Sequence, residues 1–333
     1  MDKSSPEPVL AQLALAGKYY GIQNRIIELD VPDLSTSSDI AITGRFFYLT
    51  FKNKMPTLEE FVDYIYWRLI PFCIPRAKCD EYSQKYIITG DHRYHMELAD
   101  QAKNLFIKSL NSIKRSGELG ELVLFILIEA FMNAPQIACK MYLKTNENMP
   151  VHGSDSIHAI FDASSGQLEL LWGESKIYQD ISSSLDEICS SIKSFNDISS
   201  ARPPHARDID VLKDHVDISE PLMREAFLKY FDPYTRESTL VSESFCCFSG
   251  FEFSAYNSIM KKAPAEVEPT FKAEYSKRIK SAISLFESKL KKCCIEHLNF
   301  YFFLLPFSSV KDFRKAFFRK LGLSEDQIKK AME

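Results

Sequence analysis

The chain has 333 residues, 45% of them hydrophobic and 26% charged, and a formal net charge of -4. This length and composition are those of a globular protein with a large core, built as one elaborated domain or two. The acidic balance argues against a free-standing, high-affinity nucleic-acid binder. The first residues hold no apolar signal-peptide core, and the longest apolar run, residues 122–128, is too short to span a membrane. The sequence therefore predicts a cytoplasmic protein that does not enter a membrane.

The N-terminal third is predicted to contain two strands and a helix. The strands cover residues 21–31 and 40–51. The helix begins at Thr57, where Thr57 and Glu60 form a capping box, and Pro71 ends it.

The middle of the chain is predicted to follow the order helix, three strands, helix. Ser116 can cap a helix that runs to about residue 131, and we expect this helix to be buried because residues 122–128 are apolar all round. Strands follow over residues 136–143, 156–161 and 168–173. Residues 162–166 form a hairpin loop between the last two strands, and a helix over residues 180–195 comes next.

The C-terminal part begins after residues 201–207, the clearest linker in the chain. It is predicted to hold a helix capped by Ser219, a strand over residues 245–253, a long basic helix, an aromatic strand over residues 298–305 and a last helix from Ser309. We therefore predict an N-terminal elaboration (residues 1–110), a core (residues 111–200) and a C-terminal subdomain (residues 201–333) that completes the sheet or packs on it.

Positive charge is concentrated in this last part, where residues 269–333 contain 14 Lys and Arg against 7 Asp and Glu. It lies mainly in residues 276–280, 289–292 and 311–315. A solvated helix face is the ordinary explanation of such a stretch. Beside a nuclease centre, the same residues would contact phosphates.

The hairpin of the middle segment carries the candidate chemistry. If its loop turns between Ser164 and Ser165, Asp155 faces Glu174 across the two antiparallel strands. Directly opposed residues have Cβ atoms about 4.5–5.5 Å apart, so the two carboxylates could share one divalent cation. The strand positions that face the same way as Asp155 are all apolar, whereas the opposite face is mostly polar. Charged residues at the end of the more buried face indicate a functional site.

Phosphodiester hydrolysis accounts for this set of residues. Two carboxylates can hold Mg²⁺ or Mn²⁺, which polarises the phosphate and acidifies a bound water. The alternation of a strand puts Lys176 on the same face as Glu174, where its ammonium can orient the nucleophile or neutralise developing charge. Glu-x-Lys alone is usually a surface ion pair, and it gains weight here from Asp155 at the matching hairpin position. The sequence thus predicts a metal-dependent nuclease of the PD-(D/E)xK class.

The buried helix offers two candidates for a third acidic ligand. Glu121 and Glu118 both begin the buried helix. A carboxylate in the first helical turn suits the helix dipole, which explains Glu118 without a metal. We favour Glu121 as the third acidic ligand, with Glu118 second. His158 is expected to be structural, and His152 to be a loop residue without a role.

Three segments together resemble the HamA family of the Hachiman anti-phage defence system. They are Gly117-Glu-Leu-Gly-Glu121, His152-Gly-Ser-Asp155-Ser-Ile-His158 and Trp172-Gly-Glu-Ser-Lys176-Ile-Tyr178. The aromatic strand and the helix that follows it near the C-terminus resemble the family more loosely.

This resemblance implies an α/β (α+β) fold with a restriction-endonuclease-like core, a mixed sheet flanked by helices. It also implies a nuclease that assembles with a superfamily-2 helicase, HamB, and cleaves DNA. Asp155 and Glu174 would be metal ligands, Lys176 the catalytic lysine and Glu121 the helix acid. Ser154 stands where the superfamily's namesake proline precedes the aspartate. That proline shapes the backbone and binds no metal, so the departure weakens the motif match more than the chemistry.

Two other readings use the same residues differently. A catalytically inactive subunit with a nuclease fold could bind and regulate a helicase, but the intact set of Asp155, Glu174 and Lys176 speaks against it. A stand-alone restriction endonuclease would need a module for reading bases, and the sequence has no recognisable helix-turn-helix or zinc module.

Overall fold

The computed structural model describes residues 19–32, 39–112, 117–144, 153–162, 164–199, 201–218 and 221–332. The strands are β1 (Ile26–Glu28), β2 (Ala41–Leu49), β3 (Phe51–Lys52), β4 (Met55–Pro56), β5 (Gln136–Ala138), β6 (Ser156–Asp162), β7 (Gln167–Tyr178), β8 (Val241–Glu252) and β9 (Asn299–Phe307). The helices before the hairpin are α1 (Leu58–Tyr66), α2 (Leu69–Cys73), α3 (Arg76–Thr89), α4 (Arg93–Ser112), α5 (Glu118–Met132) and α6 (Lys140–Lys144). Those after it are α7 (Ile181–Phe195), α8 (Pro204–His215), α9 (Pro221–Leu228), α10 (Ala255–Ile259), α11 (Pro264–Cys293), α12 (Val310–Lys320) and α13 (Glu325–Met332).

Seven strands form one mixed sheet in the order β1-β2-β9-β8-β7-β6-β5. The neighbours β2, β9, β8 and β7 run parallel, and the remaining pairs are antiparallel. The central strands β8 and β9 come from the last third of the chain, and β9 joins them to β2 from the first third. Both central strands are rich in buried aromatic and aliphatic residues, as parallel strands covered on two faces require.

Helices cover both faces of this sheet, which confirms the predicted α/β class. One core lies under α7 and α11 and includes Leu168, Leu170 and Trp172 of β7. The other lies under α5 and α12 and includes Leu171 and Ile177 of the same strand. Helix α5 is buried along nearly its whole length, as its all-round apolar sequence predicted. Among the described residues, none of the helices combines the length and apolar character needed to cross a membrane.

The predicted hairpin register is confirmed, since β6 and β7 pair from Asp162 with Gln167 to Ser156 with Gly173. The face of Asp155 is the more buried one, as expected, and the opposite face is exposed only toward the hairpin loop. Ser156 and His158 on that opposite face are buried as well, because α5 covers them.

Several predicted elements differ from the structure in the N-terminal third. Residues 21–31 hold a short 3₁₀ turn followed by the three-residue strand β1. The capping box at Thr57 is wrong, because its hydroxyl donates to the Thr50 carbonyl at 3.0 Å instead of accepting from the helix. Pro71 does not end the helix. It lies inside the separate helix α2, within the first turn, where a missing N–H is tolerated.

Two more corrections concern the segments that flank the hairpin. The strand predicted over residues 136–143 stops at Ala138, and the helical turn α6 follows and buries Met141. The predicted linker over residues 201–207 already contains the start of α8, where Pro204 occupies the first helical position that proline favours. The predicted caps Ser116 and Ser219 lie outside the described residues.

Candidate active site

Strand β7 and the residue before β6 bring Asp155, Glu174 and Lys176 to one cleft. The Asp155 N–H donates to the Gly173 carbonyl at 2.8 Å, although the regular pairing of β6 with β7 ends at Ser156 and Gly173. Asp155 thus lies just past the end of the hairpin ladder. It lines the cleft with Glu174, while the directly opposed pairing of the two residues stays a prediction. Lys176 follows two residues later on the same face of β7, where its Nζ donates to Glu174 Oε1 at 2.5 Å.

Ser175 fixes the Asp155 carboxylate. The Ser175 N–H and its hydroxyl both donate to Asp155 Oδ2 at 2.8 Å. On the other side, Gly120 lets α5 approach closely, because a Cβ at this position would lie 3.0 Å from Ser175 Oγ. Sequence analysis treated Ser175 only as the spacer of Glu-x-Lys. A hydroxyl at that position is the one sequence feature that could have suggested this contact.

Burial and charge make Glu174 unusual. Its side chain is only 8% exposed. Burial first, and then the negative charge of Asp155, raise the pKa of Glu174 above its ordinary value. Lys176 and a hydrogen bond from Ser191 of α7 act in the opposite direction. A second cation bound between the two carboxylates would relieve their repulsion.

Lys176 stays protonated at neutral pH. Burial favours the neutral amine, but the nearby Glu174 and Asp155 carboxylates outweigh it and raise the pKa of Lys176. The side chain is about one-fifth exposed, so its ammonium can reach a molecule in the cleft.

A buried ion pair braces the loop that carries Asp155. Lys140 of α6 and Asp208 of α8 are each 1% exposed, and Lys140 Nζ lies 2.8 Å from Asp208 Oδ2. The same Asp208 oxygen accepts from the Ser154 N–H at 2.9 Å and from the Ser154 hydroxyl at 2.8 Å. Lys140 Nζ also donates to the Ser154 carbonyl. A Cβ on Gly153 would lie 2.4 Å from Asp208, so this loop can pack here only with glycine at that position.

This brace was not predicted from the sequence. Lys140 lies in a segment predicted as a strand, and Asp208 lies 54 residues beyond Ser154 in a helix that was not predicted. Neither residue belongs to a local motif that would have linked it to Asp155.

The cleft around the three residues has a volume of about 480 Å³. Helix α7 contributes Ser190, Ser191 and Ser194 to its wall. Helix α8 contributes Arg207, which adds a second cation to the cleft. Arg207 fell in the predicted linker, so sequence analysis gave it no role.

The structure does not bring the helix acids into this cleft. Glu121 lies in the first turn of α5, is 6% exposed, and adds to the raised pKa of the Cys73 thiol, after burial and Cys139. Glu118 accepts from the Ser109 hydroxyl at 2.6 Å. Neither lines the cleft among the residues that the structure describes, and Glu121 as third ligand stays a prediction. The buried His158 ring bonds to the Ala134 carbonyl at 2.9 Å, which fits a structural role. His152 lies outside the described residues.

The donor set fits a hard divalent cation with few protein ligands. Within the described ranges, no group of three or more His, Cys, Asp or Glu residues could hold one metal ion. Mg²⁺ is commonly bound by one or two carboxylates and completes its shell with waters and substrate phosphates. Asp155 and Glu174 supply two such carboxylates in the cleft, and the pKa of Glu174 is raised by burial first and then by repulsion from Asp155, which a bound cation would relieve.

Comparison with known proteins gives one family match. The model of the HamA family matches residues 24–321, which include the whole hairpin, α5 and the central strands of the sheet. A comparison with curated proteins found no significant match.

Proposed function

Because the chain belongs to the HamA family, it is a protein of the Hachiman defence system. From this premise we propose that it is the metal-dependent DNA endonuclease of an anti-phage complex. In this proposal a superfamily-2 helicase of the HamB kind controls the nuclease. The family match carries the assignment to defence. The nuclease activity, the metal and the helicase are inferred.

The observation that carries the nuclease proposal is the meeting of Asp155, Glu174 and Lys176 at one end of a buried sheet. Charged groups in such a place are costly unless they are paired or bind a ligand. In the whole cleft the carboxylates of Asp155, Glu174 and Glu187 outnumber two cations, Lys176 and Arg207, so the cleft lacks positive charge. A divalent cation would supply it.

Each residue has a part in this chemistry. Asp155 and Glu174 would hold Mg²⁺ or Mn²⁺, which supplies Lewis acidity and an acidified water when it is bound. Ser175 orients Asp155, and Lys140 with Asp208 holds the loop before it. The Lys176 ammonium stabilises negative charge that develops on the phosphate or orients the attacking water. Arg207 offers a further cation to the phosphate.

Replacing Glu174 and Lys176 together by Ala should abolish DNA cleavage, assayed with the helicase partner and ATP present, while folding and partner binding remain. Chelation by EDTA should stop the wild-type protein, and Mg²⁺ or Mn²⁺ should restore it. The matched control is Glu274→Ala with Lys277→Ala, which removes an exposed ion pair on α11 outside the cleft. Unchanged cleavage by the folded Glu174 and Lys176 double variant would refute the nuclease assignment.

A second function has one observation in its favour. Because no third acidic ligand joins Asp155 and Glu174 among the described residues, a subunit that binds a helicase without cutting DNA is the alternative. It predicts normal assembly with the helicase and no metal-dependent cleavage under any activating condition. Cleavage that depends on Glu174 excludes it.

A further inference from the structure

A second and larger cavity adjoins the candidate active site. Its volume is about 940 Å³, and it shares Lys176 and Glu187 with the cleft that contains Asp155. The two cavities therefore meet at these two side chains, beside the end of β7. We call the larger cavity the basic groove, defined by its cationic residues Lys176, Lys311, Arg314, Lys315 and Lys329.

The cations of the basic groove come mainly from α12. Phe313 and Phe317 of this helix are buried in the core under the sheet. Arg314 and Lys315 follow Lys311 by three and four residues, so the three side chains lie on one side of the helix. All three line the groove. Arg314 is fixed there, because its guanidinium donates to the Ile177 carbonyl of β7 at 2.9 Å.

These lysines are available for a ligand. Within the described part of the chain, neither Lys311 nor Lys315 forms a close ion pair with an acidic side chain, although Lys315 is near enough to Glu325 to help lower its pKa. Three acids also line the groove: Glu187, Glu325 and Asp326. Glu325 is paired with Arg319 outside the groove at 2.9 Å, and Glu187 accepts a hydrogen bond from Tyr178 at 2.6 Å. The groove thus offers positive charge to an anionic chain.

We infer that the basic groove binds a single strand of nucleic acid and leads it past Lys176 into the cleft of Asp155 and Glu174. Sites for single strands combine a positive groove that follows the phosphates with aromatic side chains that stack on bases. Tyr178 lines the groove beside Lys176 and supplies such a ring. Apolar residues such as Val310 and Ile328 form the remaining wall, which suits sugars and bases better than free phosphate.

This inference rests on the proposed nuclease function but is tested by binding alone. The test uses full-length protein with Glu174→Gln, so that the strand is not cut, and a labelled single strand of about 15 nucleotides. Binding is measured by fluorescence anisotropy from about 20 mM salt upward, where electrostatic screening is weak. A duplex of equal length is measured in parallel.

The groove variant is Lys311→Ala with Lys315→Ala, and its matched control is Lys280→Ala with Lys291→Ala on α11. Both control lysines are exposed and line neither cavity. Removing two phosphate contacts should weaken binding at least about tenfold and lower the slope of log affinity against log salt by about 1.4. The control pair should change neither quantity. Tyr178→Leu should weaken binding about fivefold or more, whereas Tyr178→Phe, which keeps the ring, should not.

Three outcomes would overturn the inference. They are no binding of the single strand even at low salt, equal losses in the groove and control variants, and duplex binding as tight as that of the single strand. If the wild-type chain cleaves DNA and the groove variant still binds the single strand normally, the inference about the groove is wrong and the nuclease proposal stands. If the groove variant loses binding but the wild type cleaves nothing, the inference about the groove stands and the nuclease proposal is wrong.

Discussion

Both hydrogen bonds that Ser175 donates to the Asp155 carboxylate go to the same oxygen, Oδ2. Asp155→Asn keeps an oxygen for these bonds and removes the negative charge. We therefore expect a folded variant whose half-saturating Mg²⁺ concentration rises and whose rate falls at least about 100-fold. Ser175→Ala removes one of the two bonds and should raise the half-saturating Mg²⁺ concentration about 10–100-fold. A normal metal titration for Asp155→Asn would contradict its role as a ligand.

The two helix acids can be separated by the same titration. Glu118 is engaged by Ser109, and Glu121 lies deeper along the first turn of α5. If Glu121 takes part in metal binding, Glu121→Gln should raise the half-saturating Mg²⁺ concentration, more mildly than Asp155→Asn. Glu118→Gln is the matched comparison on the same helical turn. If only Glu118→Gln raises the half-saturating Mg²⁺ concentration, Glu118 is the third ligand in place of Glu121. If neither variant changes it, Asp155 and Glu174 are the two carboxylates of the site.

His158 should make stability depend on pH. Burial lowers the pKa of His158 to about 3, despite its hydrogen bond to Ala134. Below about pH 6.5 the imidazole of the unfolded chain binds a proton, whereas the buried imidazole of the folded chain stays neutral down to about pH 3. The free energy of unfolding therefore falls as the pH drops below about 6.5. His158→Asn can still donate to Ala134 and does not titrate. Between pH 6.5 and pH 5 the wild type should lose about 2 kcal/mol relative to this variant, measured by urea unfolding. Parallel pH profiles would contradict the burial argument.

At the scale of elements, α6 and α8 meet through the Lys140 and Asp208 pair. Asp208→Ala leaves the Lys140 ammonium buried without its partner and should cost about 3–5 kcal/mol of unfolding free energy. Asp210→Ala is the matched control on the same helix. It removes an exposed pair with Arg202 and should cost less than about 1 kcal/mol. Equal losses in urea unfolding would show that the buried pair does not brace the Asp155 loop.

The elements also show what a sequence can predict. The register of β6 and β7 followed from alternating apolar residues and a short loop, because a slip by one residue would invert every side chain. That local pattern was enough to place Asp155 beside Glu174 and Lys176. The brace by Lys140 and Asp208, and the cation Arg207, depend on helices that are distant in sequence and meet only in the fold. No periodicity along the chain encodes such a meeting.

For the whole molecule, the distribution of charge bears on the proposed interaction with DNA. The chain is net acidic. Three of the seven basic residues of α11 are paired within the fold, Lys289 with Asp186, Lys272 with Glu268 and Lys277 with Glu274. Of the basic stretches noted in the sequence, residues 311–315 are the ones that line the cavity beside the candidate active site. The isolated chain therefore offers few phosphate contacts, and each contact weakens as salt rises.

We accordingly expect the purified chain to bind DNA weakly and cut it slowly at physiological salt, and a helicase partner to supply the grip. The measurement compares binding and cleavage by the chain alone with those by the chain plus helicase and ATP. If the partner supplies phosphate contacts, the complex should show the steeper salt dependence, because more counterions are released on binding. Tight binding and rapid cleavage by the chain alone would instead favour a stand-alone endonuclease. In that case the groove beside α12 would have to provide all of the affinity that the net charge of -4 opposes.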